Sequence, residues 1–257
     1  MEMKKWLLAA TLAATAVTGV AQAKDWKVVR FGIEGAYPPF SKTEADGSLS
    51  GFDVDIANAL CSEMKVECKL VAQDWDGIIP SLLSRKYDAI IAAMSITEER
   101  KKKIDFTGKY ALIPNKFIAK KDAGLDFSNL DGVKIGVQRA TTHDKYLTDN
   151  YKNVEVVRYG SFDEAYLDLA NGRVAAVLGD ASALEEGVLN QKGGEAYEFS
   201  GPSLTDPKWF GDGFGIAVRK QDKDLTKKLD EAILALREKG IYQEIQAKYF
   251  NYDVYGD

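Results

Sequence analysis

Arg100, in the run Glu98-Glu99-Arg100-Lys101, carries a planar guanidinium that grips a carboxylate bidentately, where a lysine would act only as a point charge. Ser95, five residues earlier, brings a hydroxyl and a backbone N–H that can serve the same anion. Thr142 stands where a helix is expected to begin, and a helix N-terminus with a hydroxyl beside it favours negative charge. Arg100 also reads as a solvated arginine on a charged helix, and these residues alone leave both readings open. Trp75 lies in Gln73-Asp74-Trp75-Asp76, too polar a setting for an ordinary core tryptophan, and tryptophan is the strongest cation–π partner among the side chains. The chemistry on offer is recognition of an anion at one point and a cation at another. Metal chemistry lacks its spacing: Cys61 and Cys68 are the only cysteines, His143 is the only histidine, and no C-x-x-C pattern joins them.

The elements that must position these residues come in two similar sets. Val29-Arg30-Phe31-Gly32-Ile33-Glu34-Gly35-Ala36 is echoed by Val133-Lys134-Ile135-Gly136-Val137-Gln138-Arg139-Ala140. Each is followed by helical spacing, a basic turn and a second apolar run, 89–94 in one set and 174–178 in the other. Short apolar runs alternating with amphipathic stretches predict parallel βαβ units, and two such units predict two α/β lobes with a cleft at the carboxyl ends of the strands. In the first set the expected order is a strand over 28–33, an extended loop over 34–40 held by Pro38-Pro39, a helix from Gly51, a strand over 67–71, a helix over 77–83 and a buried strand over 89–94. Ser95-Ile96-Thr97-Glu98 then has the form of a capping box. The second set reads as strands over 133–137, 154–159 and 174–178, and helices after Thr141 or Thr142 and over 162–170 and 182–189. A strand over 211–218 returns the chain, and helices over 224–239 and 242–248 close it. Crossings near 117–120 and 215–218 form a two-stranded hinge. The lobes are therefore 24–116 with 217–257, and 117–216.

Residues 1–23 have a charged start with Lys4-Lys5, an apolar stretch and Ala21-Gln22-Ala23, the form of a signal peptide cleaved after Ala23. Export to an oxidising compartment predicts a Cys61–Cys68 disulfide. The formal charge of −5, with no basic stripe interleaved with aromatics, argues against nucleic acid as a partner. With 46% apolar residues, the chain has the material for two cores.

Gly51-Phe52-Asp53-Val54-Asp55-Ile56, Ser95-Ile96-Thr97-Glu98-Glu99-Arg100, Asp105-Phe106-Thr107 and the closing 248–256 resemble the periplasmic solute-binding proteins that serve polar amino acid ABC importers, in the lysine/arginine/ornithine and histidine subgroup. The resemblance implies a two-lobed periplasmic binding protein fold, no cofactor and no metal, a monomer in the periplasm, and delivery of a small ligand to a membrane permease. It implies that Arg100 and Ser95, with Thr142, hold the ligand's α-carboxylate and that Asp180 accepts its amine, although a lone aspartate after a strand is otherwise a helix cap. Tyr37 and Trp75 then sandwich the ligand's side chain, with Glu34 facing its cationic end. Where relatives carry two serines this chain has Ala92 and Ala93, and His143 replaces a commoner glutamine, while Asn115 follows a proline near the cleft edge. Those departures look similar to members that bind opines such as octopine and nopaline, which are N-substituted arginines, and make an opine the expected ligand. Free arginine, lysine, ornithine or histidine is the alternative. An enzyme resembling cyclohexadienyl dehydratases is the rival class; it needs a placed acid or base, for which Glu34 and His143 are the candidates.

Overall fold

A computed structural model describes residues 25–256, so the expected signal peptide lies outside the described residues. Val28–Ile33 forms a strand whose Val29, Phe31 and Ile33 are fully buried. It pairs in parallel with Glu67–Ala72 on one side and Ala89–Ile90 on the other, and the sheet is completed by Phe214–Val218 and then Asp105–Ala111, both antiparallel to their neighbours. The second sheet repeats this order. Lys134–Gln138, the echo of the first strand, lies between Glu155–Tyr159 and Ala176–Asp180, followed by Asn115–Lys120 and Tyr197–Leu204. The glycine common to both echoes has a packing reason: a Cβ on Gly32 would run into the Tyr87 ring, and one on Gly136 would stand 3.1 Å from Tyr159 and 3.2 Å from Val177.

Helices Phe52–Met64 and Lys223–Glu238 pack together against the first sheet. Their apolar faces bury Phe52, Ile56 and Leu60 on one and Leu225, Leu229 and Ile233 on the other, at helical spacing. Cys61, on the first of these helices, is bonded to Cys68 at the start of the adjacent strand, with the Cα atoms 5.6 Å apart.

Several elements differ from the sequence expectation. The buried strand stops at Ile90 rather than running to Met94, because the Ala93 N–H turns away from the ladder onto Asp53 Oδ2 (2.9 Å) and Tyr110 Oη (3.0 Å), with Ala93 at φ 44°. Thr97, not Ser95, caps the short helix Glu98–Lys101, accepting from the Arg100 N–H at 3.3 Å. The Pro38-Pro39 loop is not wholly irregular, since Ala36–Tyr37 pairs with Ser41–Thr43. The stretch expected as one helix over 182–189 is helical over Ala181–Leu184 and then widens into a π-helical turn, Glu185–Leu189. The segments 117–120 and 215–218 lie inside strands, one in each sheet, and the chain passes between the sheets through 112–114 and 205–213. Asn115 and Lys116 thus pair in the second sheet, and Phe214 and Gly215 in the first.

Candidate functional site

The parallel strands Val28–Ile33, Ala89–Ile90, Lys134–Gln138 and Ala176–Asp180 bring their C-terminal ends to the cleft, which is where open α/β sheets place their ligands. From the first lobe come Glu34, at the end of Val28–Ile33, then Tyr37, then Trp75 at the start of helix Trp75–Leu83, and Ala92, Ala93 and Ser95 beyond the interrupted strand. Arg100 projects from the helix that Thr97 caps. The second lobe supplies Thr142 and His143 from the first turn of helix Thr142–Asn150, and Asp180 from the end of its strand. Together they line one cavity in the cleft. Gln138, Thr141 and Phe162 also line it and were missed as site residues. The echo contained a signal for Gln138, which stands in the second motif where Glu34 stands in the first.

Asn115 departs from expectation. It is buried behind His143 rather than lining the cavity: its Nδ2 donates to Leu204 O (3.1 Å), and its Oδ1 lies 2.7 Å from His143 Nε2. The two residues expected to offer donors to a ligand are bonded to each other. Tyr37 also differs from the expected sandwich. Its ring packs on Phe162 (5.1 Å) and Phe40 (5.6 Å), and its hydroxyl donates to Asp180 Oδ2 at 2.5 Å. Asp180 makes no side-chain cap to the helix after it, so its carboxylate belongs to the cavity. Trp75 presents its ring to the Arg100 guanidinium, 5.2 Å from the centroid, and donates through Nε1 to Ala140 O at 3.3 Å. Arg100 itself donates through Nη1 to Ser95 O at 2.9 Å.

The two walls meet through side chains. Gln138 Nε2 donates to Glu34 Oε1 at 2.5 Å and to Gly160 O at 3.0 Å. Outside the cavity, Arg139 pairs with Asp76 at 3.3 Å and Lys145 approaches Glu99 at 3.8 Å, both between the lobes.

Burial dominates the electrostatics. It pushes the Glu34 carboxyl up to about 7 against the Gln138 hydrogen bond, with Asp74, Asp163 and Asp76 adding to the rise. Asp180 is likewise pushed up to about 7 by burial, against the Tyr37 hydrogen bond and the Arg100 charge. Desolvation lowers Arg100 to about 10, opposed by Asp180 and Glu99, and leaves it a cation at neutral pH. His143 is pushed down to about 3 by burial and by Arg100, so its ring is neutral. Among the described residues, no group of three or more His, Cys, Asp or Glu is placed to hold a metal ion, and no helix is long and apolar enough to cross a membrane.

The family of bacterial extracellular solute-binding proteins, family 3, matches residues 29–252. The L-arginine-binding protein of Pseudomonas aeruginosa is 52% identical over 99% of this chain and 99% of its own. The lysine/arginine/ornithine-binding periplasmic protein of Escherichia coli is 40% identical over 99% of this chain and 100% of its own. Among solved structures, a Salmonella typhimurium periplasmic binding protein described as having high arginine specificity aligns with a TM-score of 0.82 at 34% identity, over 88% of this chain and all of that one.

Proposed function

As a member of the bacterial extracellular solute-binding proteins of family 3, the chain is a binding protein rather than an enzyme, and we propose that it is the periplasmic component of an ABC importer that captures L-arginine. The observation that carries this reading is the charge of the cavity. Once a cationic ligand ionises them, Glu34 and Asp180 are two acids against one base, Arg100, while His143 is neutral, so a ligand of net charge +1 balances the site. Arginine has that charge, and its parts match the lining one by one. Its carboxylate meets Arg100, supported by Ser95 and Thr142. Its α-ammonium meets Asp180, and its guanidinium meets Glu34. Each ion pair restores charge to a group that burial alone penalises. Because Arg100 and Glu34 belong to one lobe and Asp180 and Thr142 to the other, the ligand has contacts that exist together only when the lobes are closed, which is what favours closure. The names of the relatives support the same ligand class, and delivery of arginine to a membrane permease is the role that goes with it.

An opine is the second reading. Ala92 and Ala93 do line the cavity and favour a bulkier ligand. Against it, the added carboxylate makes octopine neutral overall and nopaline, with one more, an anion, so that one of the two acids must stay protonated or unpaired, while His143 and Asn115 are already bonded to each other. Calorimetry of the mature protein with arginine, lysine, ornithine, histidine, octopine and nopaline tests both. Arginine is expected to bind tightest, with octopine at least about tenfold weaker, the loss of about 1.4 kcal/mol of charge balance. Tighter binding of either opine would establish the second reading instead.

A further inference from the structure

His143 has one committed nitrogen and one free one. Asn115 Nδ2 donates to the Leu204 carbonyl, so it is the Asn115 oxygen that faces His143 Nε2 at 2.7 Å. An oxygen can only accept, so Nε2 carries the ring proton. In a neutral imidazole the other nitrogen is then a bare lone pair. Nδ1 is fully buried and meets no hydrogen-bonding partner within the protein. His143 lines the cavity and its Nε2 is used up, so anything there that bonds to His143 bonds to Nδ1. The ring sits next to the acid expected to take the ligand's amine, with Nε2 3.9 Å from Asp180 Oδ1.

We propose that His143 is a specificity-determining acceptor: its Nδ1 takes one N–H of the ligand's α-ammonium, Asp180 takes another, and a carboxylate carried on that nitrogen and turned toward the ring meets a lone pair where it needs a donor. The proposal rests on the arginine reading above and deepens it. It reverses the role expected for His143, from a donor that welcomes a second carboxylate to an acceptor that turns one away. Asn115 is the positioning residue, acting only through the tautomer it enforces. A glutamine in place of His143 would offer an N–H as easily as an oxygen and would not discriminate in this way.

His143 is the only histidine in the chain, so the ¹⁵N imidazole signals of tag-free protein report on it alone. The expected spectrum at neutral pH has a protonated Nε2 and an unprotonated Nδ1, and saturation with arginine moves the Nδ1 signal upfield as it accepts a hydrogen bond. His143→Gln is expected to narrow the arginine-to-octopine affinity ratio by about tenfold, the size of one hydrogen bond to a charged group. A protonated Nδ1, an imidazolium, or an Nδ1 signal that stays put while calorimetry shows arginine bound would each overturn the proposal, and these measurements use only the unmutated protein. An unchanged ratio in a folded His143→Gln protein overturns it as well. Absence of any heat with arginine removes the proposed function and this inference with it, and the calorimeter alone distinguishes that outcome from the others.

Discussion

Gln138 donates to Glu34 at 2.5 Å across the cleft, and the two residues occupy the same place in the two copies of the repeated strand motif. The pairing follows from topology. Each motif strand is second in its sheet, with a parallel neighbour on each side, and the sheets present their carboxyl ends to one another. The residue just past one strand therefore meets the residue at the end of the other. One copy of the position carries an acid and the other a neutral amide, and in the proposed arginine complex this asymmetry is what suits that end of the cavity to a cation.

Glu34→Gln should accordingly weaken arginine binding by about 1.5–3 kcal/mol, the range for a hydrogen bond to a charged group, and cost a neutral ligand such as glutamine clearly less. Calorimetric titration of both ligands against both proteins checks it. Equal losses for the two would take Glu34 out of the side-chain site.

In the proposed complex, Arg100→Ala removes the cation that the ligand's carboxylate meets. Truncating one partner of a buried pair costs about 3–5 kcal/mol, so the affinity for arginine should fall by more than about a hundredfold. The fold should persist, because Arg100 lies on a short helix, Glu98–Lys101, that holds no buried apolar residue. A change in affinity below threefold, with an unaltered circular dichroism spectrum, would remove Arg100 from the site.

The raised carboxyls of Glu34 and Asp180 make stability and binding depend on pH in opposite senses. Both are pushed from the ordinary carboxylate range to about 7, so between pH 5 and pH 7 the folded protein holds protons that the unfolded chain has released. Stability without ligand then falls as pH rises through that window, by several degrees in Tm at about 2–4 °C per kcal/mol. Asp53, pushed up to about 7 by burial, adds in the same direction. In the proposed complex arginine supplies cations to Glu34 and Asp180 and favours their charged forms, so its affinity is expected to rise from pH 5 to pH 8 and binding near pH 6 to release protons. Calorimetry in two buffers of different ionisation enthalpy measures that release, and a value of zero at pH 6 contradicts the assignment.

The Cys61–Cys68 bond closes a loop with a sequence separation of 7, for which chain entropy gives about 2.5 kcal/mol of stabilisation. It joins the helix Phe52–Met64 to the strand Glu67–Ala72, neither of which contributes a residue to the cavity lining. Replacing both cysteines by alanine should lower Tm by several degrees and leave the arginine affinity unchanged within twofold. A large loss of affinity would mean that this helix governs the cleft.

The sequence by itself determined the elements whose signals are local. Val28–Ile33 and Phe162–Ala170 begin and end where period-two and helical apolar spacing place them, and Phe52–Met64 follows the glycine that precedes its apolar stripe, because each pattern reports burial of one face over a few neighbouring residues. Asp105–Ala111 and Tyr197–Leu204 were not legible. Both are sheet-edge strands, one carrying glycine and lysine and the other Gly201-Pro202 with a register shift, and neither alternates cleanly. The family motifs located Arg100, Ser95, Asp180 and Glu34, yet what each one touches was decided by the tertiary structure. Tyr37 reaches Asp180 across 143 positions of sequence, Gln138 reaches Glu34 across 104, and Asn115 reaches His143 across 28. Such contacts leave no local pattern to read, because they depend on how two sheets, distant in sequence, face one another. The state of a buried side chain, whether a carboxyl near neutrality or a ring nitrogen left as a lone pair, is set by which groups that meeting brings within hydrogen-bond reach.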